Sequence, residues 1–197
     1  MHTEYDVSMG YIQLRNYAEW YYTKYFPSKR MLHEKLLSRS EERELIDRVM
    51  TDLESLIVED KVIESRIHAY IWAGKTARYI RTKMTQKKFD KDMVEAFLWA
   101  QSDILENPET YHNQVEKYIQ KSIQKWVSKR ACTYELSMKY PDARPLIDEL
   151  LMDYDDLVIL QKKAPELLKK YSQEQVLWKL SQKGFQISDI YTVLRRR

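Results

Sequence analysis

The chain is 197 residues long, with 32% charged and 44% hydrophobic residues, a balance that builds a packed core and excludes a disordered chain. Three glycines and five prolines are too few for the turns of a β-rich fold, so helices are expected throughout. The formal net charge of +3 is too mild to mark a nucleic-acid binder by itself, and a single cysteine, Cys132, excludes an internal disulfide framework and suits a reducing compartment.

Residues 1–10 read as a loose lead-in. A first helical unit is expected over 11–56, where Tyr17, Trp20, Tyr21 and Phe26 lie near helical spacing. Ser28 is placed to cap the next helix. Ser40 with Glu41 and Glu42 is placed to cap a third, since a polar side chain accepts free amides and carboxylates suit the positive helix end. Ile46, Val49, Met50 and Leu53 then recur every three or four residues as an amphipathic stripe. A second unit is expected over 57–104, with Gly74 before a Thr76 cap and Asp90 as a further cap. Asn107-Pro108 breaks the chain before a third, degenerate unit over 105–158, whose Pro141 and Pro145 must lie outside helix interiors. The fourth unit, 159–197, has Pro165 as a first-turn residue. In it Ser172-Gln-Glu-Gln175 forms a capping box, and Gly184 can end the helix in the left-handed conformation.

These units share a pattern: a small polar cap, an apolar residue four later, a Lys-Leu-like pair, then an apolar residue opening a second helix. Ser28, Thr76, Ser128 and Ser172 are spaced by 48, 52 and 44 residues, which sets about three helices per unit. Trp20, Trp72, Trp126 and Trp178 are also nearly evenly spaced, but their offsets from the caps differ, so they are not equivalent positions. The expected fold is therefore all-α: tandem three-helix repeats forming an elongated, curved array.

No apolar run approaches about 20 residues, so no membrane span is expected, and the first residues lack the basic and apolar stretches of a signal peptide. Signals for an enzyme fail one by one. Gly74-Lys75-Thr76 ends like a phosphate-binding loop, but Ala69 stands where Gly is required and the preceding segment reads as helix. Asp153, Asp155 and Asp156 lack the Gly and the terminal Glu of a calcium loop. His2, His33, His68 and His112 have no paired ligand spacing. Glu59-Asp60 reads as a cap for the following helix rather than a catalytic pair. Cys132 falls on an apolar repeat position and reads as a buried structural thiol. No enzyme activity, cofactor or metal is expected.

Taken together, Leu53, Leu56, Glu59-Asp60, Ile63, Gly74, Ile80-Arg81, Met84 and Lys87-Lys88-Phe89 resemble the repeat motif of the RecX family, regulators of the bacterial recombinase RecA. Lys179-Leu180, Lys183-Gly184-Phe185 and Ile190 resemble that family's C-terminal repeat. The resemblance covers residues 13–104 and 165–194; Lys88 stands where the family usually has Gly. It implies a cytoplasmic protein that binds the RecA filament on single-stranded DNA and restrains recombination and its linked ATPase, here expected as a monomer. Two basic clusters are candidate contacts. The first is Lys75, Arg78, Arg81, Lys83, Lys87 and Lys88, with Tyr79 beside them; the second is Lys179, Lys183, Arg195, Arg196 and Arg197. Lysine and arginine neutralise phosphates and aromatic rings stack on bases, although a solvated helix face gives the same pattern. Tyr17, Tyr21, Tyr22 and Tyr25 present a second choice, between an interaction face and half-buried packing. Direct nucleic-acid binding without a recombinase, and a helical scaffold with an unrelated protein partner, are the alternative functions.

Overall fold

The structure, a computed structural model, describes residues 3–195, which hold thirteen α-helices, two short 3-10 turns and no strand. The chain divides into two compact units, one ending at Ser102 and the other beginning at Asp103. No described helix is long and apolar enough to cross a membrane.

In the first unit α1 (Thr3–Tyr25), α2 (Lys29–Leu37) and α3 (Arg43–Asp52) pack on one another, and α4 (Glu59–Trp72), α5 (Ala77–Gln86) and α6 (Lys91–Ala100) do the same. The middle helices α2 and α5 start for the same reason: the hydroxyls of Ser28 and Thr76 accept from the amides of Met31 and Tyr79. Their buried stripes, Leu32 and Leu36 in one and Ile80 and Met84 in the other, are fully removed from solvent. Left-handed residues turn the chain into both caps, Phe26 (φ 45°) and Gly74 (φ 63°). A phenylalanine there costs about 1–2 kcal/mol. The guanidinium of Arg66 offsets this by donating to the carbonyls of Tyr25 and Phe26 at 2.9 and 3.0 Å.

Two bonds lock the first trio of helices to the second. Buried Ser28 uses both halves of its hydroxyl: the oxygen accepts from Met31 and the hydrogen goes to the carbonyl of Lys87 at 2.8 Å. Glu59, the first residue of α4, accepts from the backbone amide of Lys29, adding a carboxylate to the positive end of α2. Burial pushes the Glu59 carboxyl above its ordinary value, against the pull of that amide.

The second unit begins with α7 (Ser102–Glu106) near its edge and repeats the plan. α8 (His112–Gln124), α9 (Lys129–Lys139) and α10 (Arg144–Leu150) pack together, as do α11 (Asp156–Leu168), α12 (Gln173–Ser181) and α13 (Ile187–Arg195). Ser128 caps α9 by accepting from Ala131, and its own amide donates to the carbonyl of Lys183 at 2.9 Å. Asp156, the first residue of α11, accepts from the Lys129 amide at 2.7 Å. Each unit thus joins its trios at two matching places, a carboxylate on the first amide of the middle helix and a carbonyl bonded by the capping serine, through its hydroxyl in the first unit and its amide in the second. Pro141 opens a 3-10 turn and Pro145 lies in the first turn of α10, so neither interrupts a helix.

Four local expectations are corrected. Residues 3–10 are helical rather than a lead-in: nothing before Gly10 stops a helix, and Tyr11 anchors α1 through a hydroxyl bond to Asp52. Glu42, not Ser40, is the N-cap of α3, and Ser40 accepts from the Glu42 amide at 3.2 Å. Pro165 lies inside α11, whose cap is Asp155, so the last trio begins at Asp156 instead of 159. The proline is tolerated because the carbonyl it leaves without a donor belongs to exposed Gln161. Glu59 and Asp60 both lie in the first turn of α4, but the N-cap is Val58 and Glu59 serves α2 instead.

Candidate nucleic-acid interface

The second unit holds an open groove of about 660 Å³, walled by Trp126, Tyr171 and Trp178 and edged by Lys170, Lys179, Lys183 and Glu166. Each wall has a local cause. Trp126 occupies the left-handed turn (φ 55°) that leads into the Ser128 cap, which holds its ring against the side of the last trio. Tyr171 precedes the Ser172 cap, where the reciprocal Ser172–Gln175 capping box fixes the start of α12. Trp178 and Lys179 stand one turn into α12, while Val176 and Leu180 of the same helix are buried.

The rings are accessible: Trp178 is 63% exposed and Tyr171 38%. Cations lie close to them, with Lys179 Nζ 4.3 Å from the centre of Tyr171 and Lys163 Nζ 4.9 Å from that of Trp126. Lys163 also binds Glu166 at 2.9 Å, and this hydrogen bond holds the Glu166 carboxyl below its ordinary value. Among the described residues no carboxylate lies within ion-pair distance of Lys170, Lys179 or Lys183, while Lys169 adds to the positive charge around Glu166. The groove therefore offers unpaired ammonium groups beside flat rings.

The basic helix of the first unit divides into two sets. Arg81 is held by Glu95 of α6 through Nε contacts of 2.8 and 3.0 Å, and Lys88 is paired with Glu34. The Lys88 bond is the main reason the Glu34 carboxyl sits below its ordinary value. Lys88 also occupies the left-handed position (φ 57°), which explains why glycine suits this site. Lys75 and Lys83 remain, flanking Tyr79 with Nζ 5.4 and 5.7 Å from its ring, and Lys83 donates to Gln86 at 3.0 Å. Arg78 is exposed one position before Tyr79, and Lys87 gives its carbonyl to Ser28 while its side chain is half-buried.

Arg195 is exposed at the end of α13, its guanidinium 5.6 Å from the Tyr191 ring; Arg196 and Arg197 lie outside the described residues. The four tyrosines of α1 do not act as one face. Tyr22 is buried, while Tyr17, Tyr21 and Tyr25 form a row with ring centres 6.0 and 4.9 Å apart. Gly74 follows a helix and Thr76 caps the next, so the phosphate-loop pattern has no strand behind it. Cys132 is fully buried, and burial raises its thiol above the ordinary value. No group of three His, Cys, Asp or Glu side chains among the described residues is placed to hold a metal ion.

Sequence reading selected Lys179 and Lys183 but missed Trp126, Tyr171, Lys169 and Lys170. The available signal was position: Trp126 stands two residues before its cap, as Phe26 does before Ser28. No protein-family model, curated protein or solved structure matches the chain.

Proposed function

We propose that this chain is a RecX-like, non-catalytic regulator that acts in the cytoplasm on the filament of RecA on single-stranded DNA and restrains its recombinase and ATPase activity. The observation that supports contact with the filament is the groove of the second unit, where Lys179 and Lys183 are free of carboxylates and stand beside the exposed rings of Tyr171 and Trp178. Ammonium groups of this kind displace counterions from phosphates, and exposed rings accept bases without regard to sequence. The motif likeness of residues 13–104 and 165–194 supplies the choice of partner.

The test is the DNA-dependent ATPase of RecA on single-stranded DNA, with this protein titrated from substoichiometric to equimolar. The expected result is a strong loss of turnover with the wild-type chain and a much weaker one with Lys179→Glu/Lys183→Glu. An unchanged rate at equimolar protein overturns the reading. Salt-sensitive binding to DNA alone, with the ATPase untouched, then makes the chain a direct nucleic-acid-binding module.

A further inference from the structure

The two units carry the same basic motif in the same structural frame. The frame is visible in the core. Thr76 and Ser172 cap the middle helices of the second and fourth trios; Ile80 and Val176, Met84 and Leu180, Phe89 and Phe185 are buried at matching places, all 96 residues apart. Lys88 and Gly184, at that spacing too, both adopt the left-handed conformation, with φ 57° and 87°. The carbonyl of the residue before each, Lys87 and Lys183, takes the bond from Ser28 or Ser128.

Packing accounts for that much. Yet the outer face matches as well: Lys83, Gln86 and Lys87 in one unit stand where Lys179, Gln182 and Lys183 stand in the other. Gln86, Gln182 and Lys183 are exposed, and the half-buried stems of Lys83, Lys87 and Lys179 call for a long side chain but not for a charge, so the fold does not require the ammonium groups to match. Both lysine pairs lack a carboxylate partner among the described residues. Both lie beside a tyrosine, Tyr79 in the first unit and Tyr171 in the second, with Lys83 and Lys179 Nζ 5.7 and 4.3 Å from the ring centres.

We infer that each unit carries one face for a single-stranded nucleic acid, so that the chain binds such a strand at two places. The inference rests on the nucleic-acid contact proposed above and extends it to Lys75, Tyr79, Lys83 and Lys87 of the first unit. Covalent linkage makes the second contact intramolecular, and affinity for a strand long enough to reach both faces exceeds that of either by roughly 10²-fold or more.

The experiment measures binding of the full chain to fluorescent oligo-dT of about 12 and about 60 nucleotides across a salt series, for the wild type, Lys83→Gln/Lys87→Gln and Lys179→Gln/Lys183→Gln. Thermal melting of each variant checks that it is folded. Both double variants are expected to bind the long strand at least about tenfold more weakly, with a long-to-short affinity ratio well below that of the wild type. Each is also expected to lower the salt slope on the long strand by about 1.4, the share of two phosphate contacts. A Lys83→Gln/Lys87→Gln variant that is folded and binds the long strand as the wild type does, with the same salt slope, overturns the two-face inference while leaving the groove of the second unit in place. Wild-type protein that binds neither strand also overturns it, and the ATPase measurement still decides the filament reading separately.

Discussion

Ser28 and Lys87, 59 residues apart in the chain, are joined by a 2.8 Å bond from the serine hydroxyl to the lysine carbonyl, and the same serine caps α2. Removing the hydroxyl leaves both the Met31 amide and the Lys87 carbonyl without a partner in a buried place. Ser28→Ala is expected to cost about 1–3 kcal/mol in chemical denaturation, more than Ser172→Ala, whose exposed cap is worth about 1 kcal/mol. Equal losses at the two sites would mean that the bond between trios contributes nothing.

Gly184 and Lys88 occupy matching left-handed turns but predict opposite signs on substitution. A Cβ on Gly184 would meet Ser128 Oγ at 2.6 Å and the Ala131 Cβ at 2.9 Å, at a φ of 87° that L side chains avoid. Gly184→Ala is expected to destabilise the second unit by about 2–4 kcal/mol. Lys88→Gly relieves a strained backbone and gives up one exposed ion pair with Glu34, so it is expected to be neutral or stabilising by up to about 1 kcal/mol. Denaturation curves of the two variants check the pair of signs.

Asp156 links stability to pH. Burial raises its carboxyl above the ordinary value of 3.8, so the folded chain holds this proton more tightly than the unfolded chain does. Its stabilising share is full below 3.8, falls as pH rises through the raised value, and stays lower above it. Asp156→Asn keeps an oxygen for the Lys129 amide and does not titrate. The stability of wild type minus that of Asp156→Asn is therefore expected to decline between pH 3.5 and 7, whereas Asp156→Ala loses the bond from the Lys129 amide, about 1 kcal/mol, at either end. A difference independent of pH would show that burying the ionised carboxylate is without cost.

Arg81 and Lys183 are both basic, but only Arg81 is already held by a carboxylate, Glu95. Arg81→Gln is expected to change the salt slope of oligonucleotide binding by less than half as much as Lys183→Gln. A larger effect from Arg81 would mean that its pair with Glu95 opens on binding.

Cys132 lies in the core of the third trio with no exposed surface and a thiol raised by burial. Alkylation by iodoacetamide at pH 8 is expected to be undetectable in the native protein and complete in denaturant, read by intact mass. Rapid native labelling would place the thiol at the surface.

The start of each middle helix was legible because capping is a short-range device. Ser28, Thr76, Ser128 and Ser172 each accept from the amide three residues on, and that geometry is set by local chain spacing. Gly184 was legible for the same reason, as a left-handed stop next to a Lys-Phe pair. The role of Glu59 was not, because its partner Lys29 belongs to another helix and no local rule connects them. Pro165 misled because a first-turn proline and a proline on a solvated flank look alike in sequence. For the groove, the lysines of α12 were visible as a charge cluster. Trp126 was not, because its one signal, a place two residues before the cap like that of Phe26, takes on meaning only once both are seen in left-handed turns, and Tyr171 reads as an ordinary half-exposed tyrosine.

The locking of α2 by Glu59 and by the Lys87 carbonyl sets an order on synthesis at the ribosome. When residue 56 leaves the exit tunnel all three helices of the first trio are present, but the amino end of α2 still lacks its carboxylate and the Ser28 hydroxyl its acceptor. The carboxylate follows with residue 59, and the acceptor only after residue 87 has emerged. The Ser28 hydroxyl thus finds its acceptor only when most of the second trio is out, and a chain stalled between residues 66 and 87 holds the first trio with that one buried bond unmade.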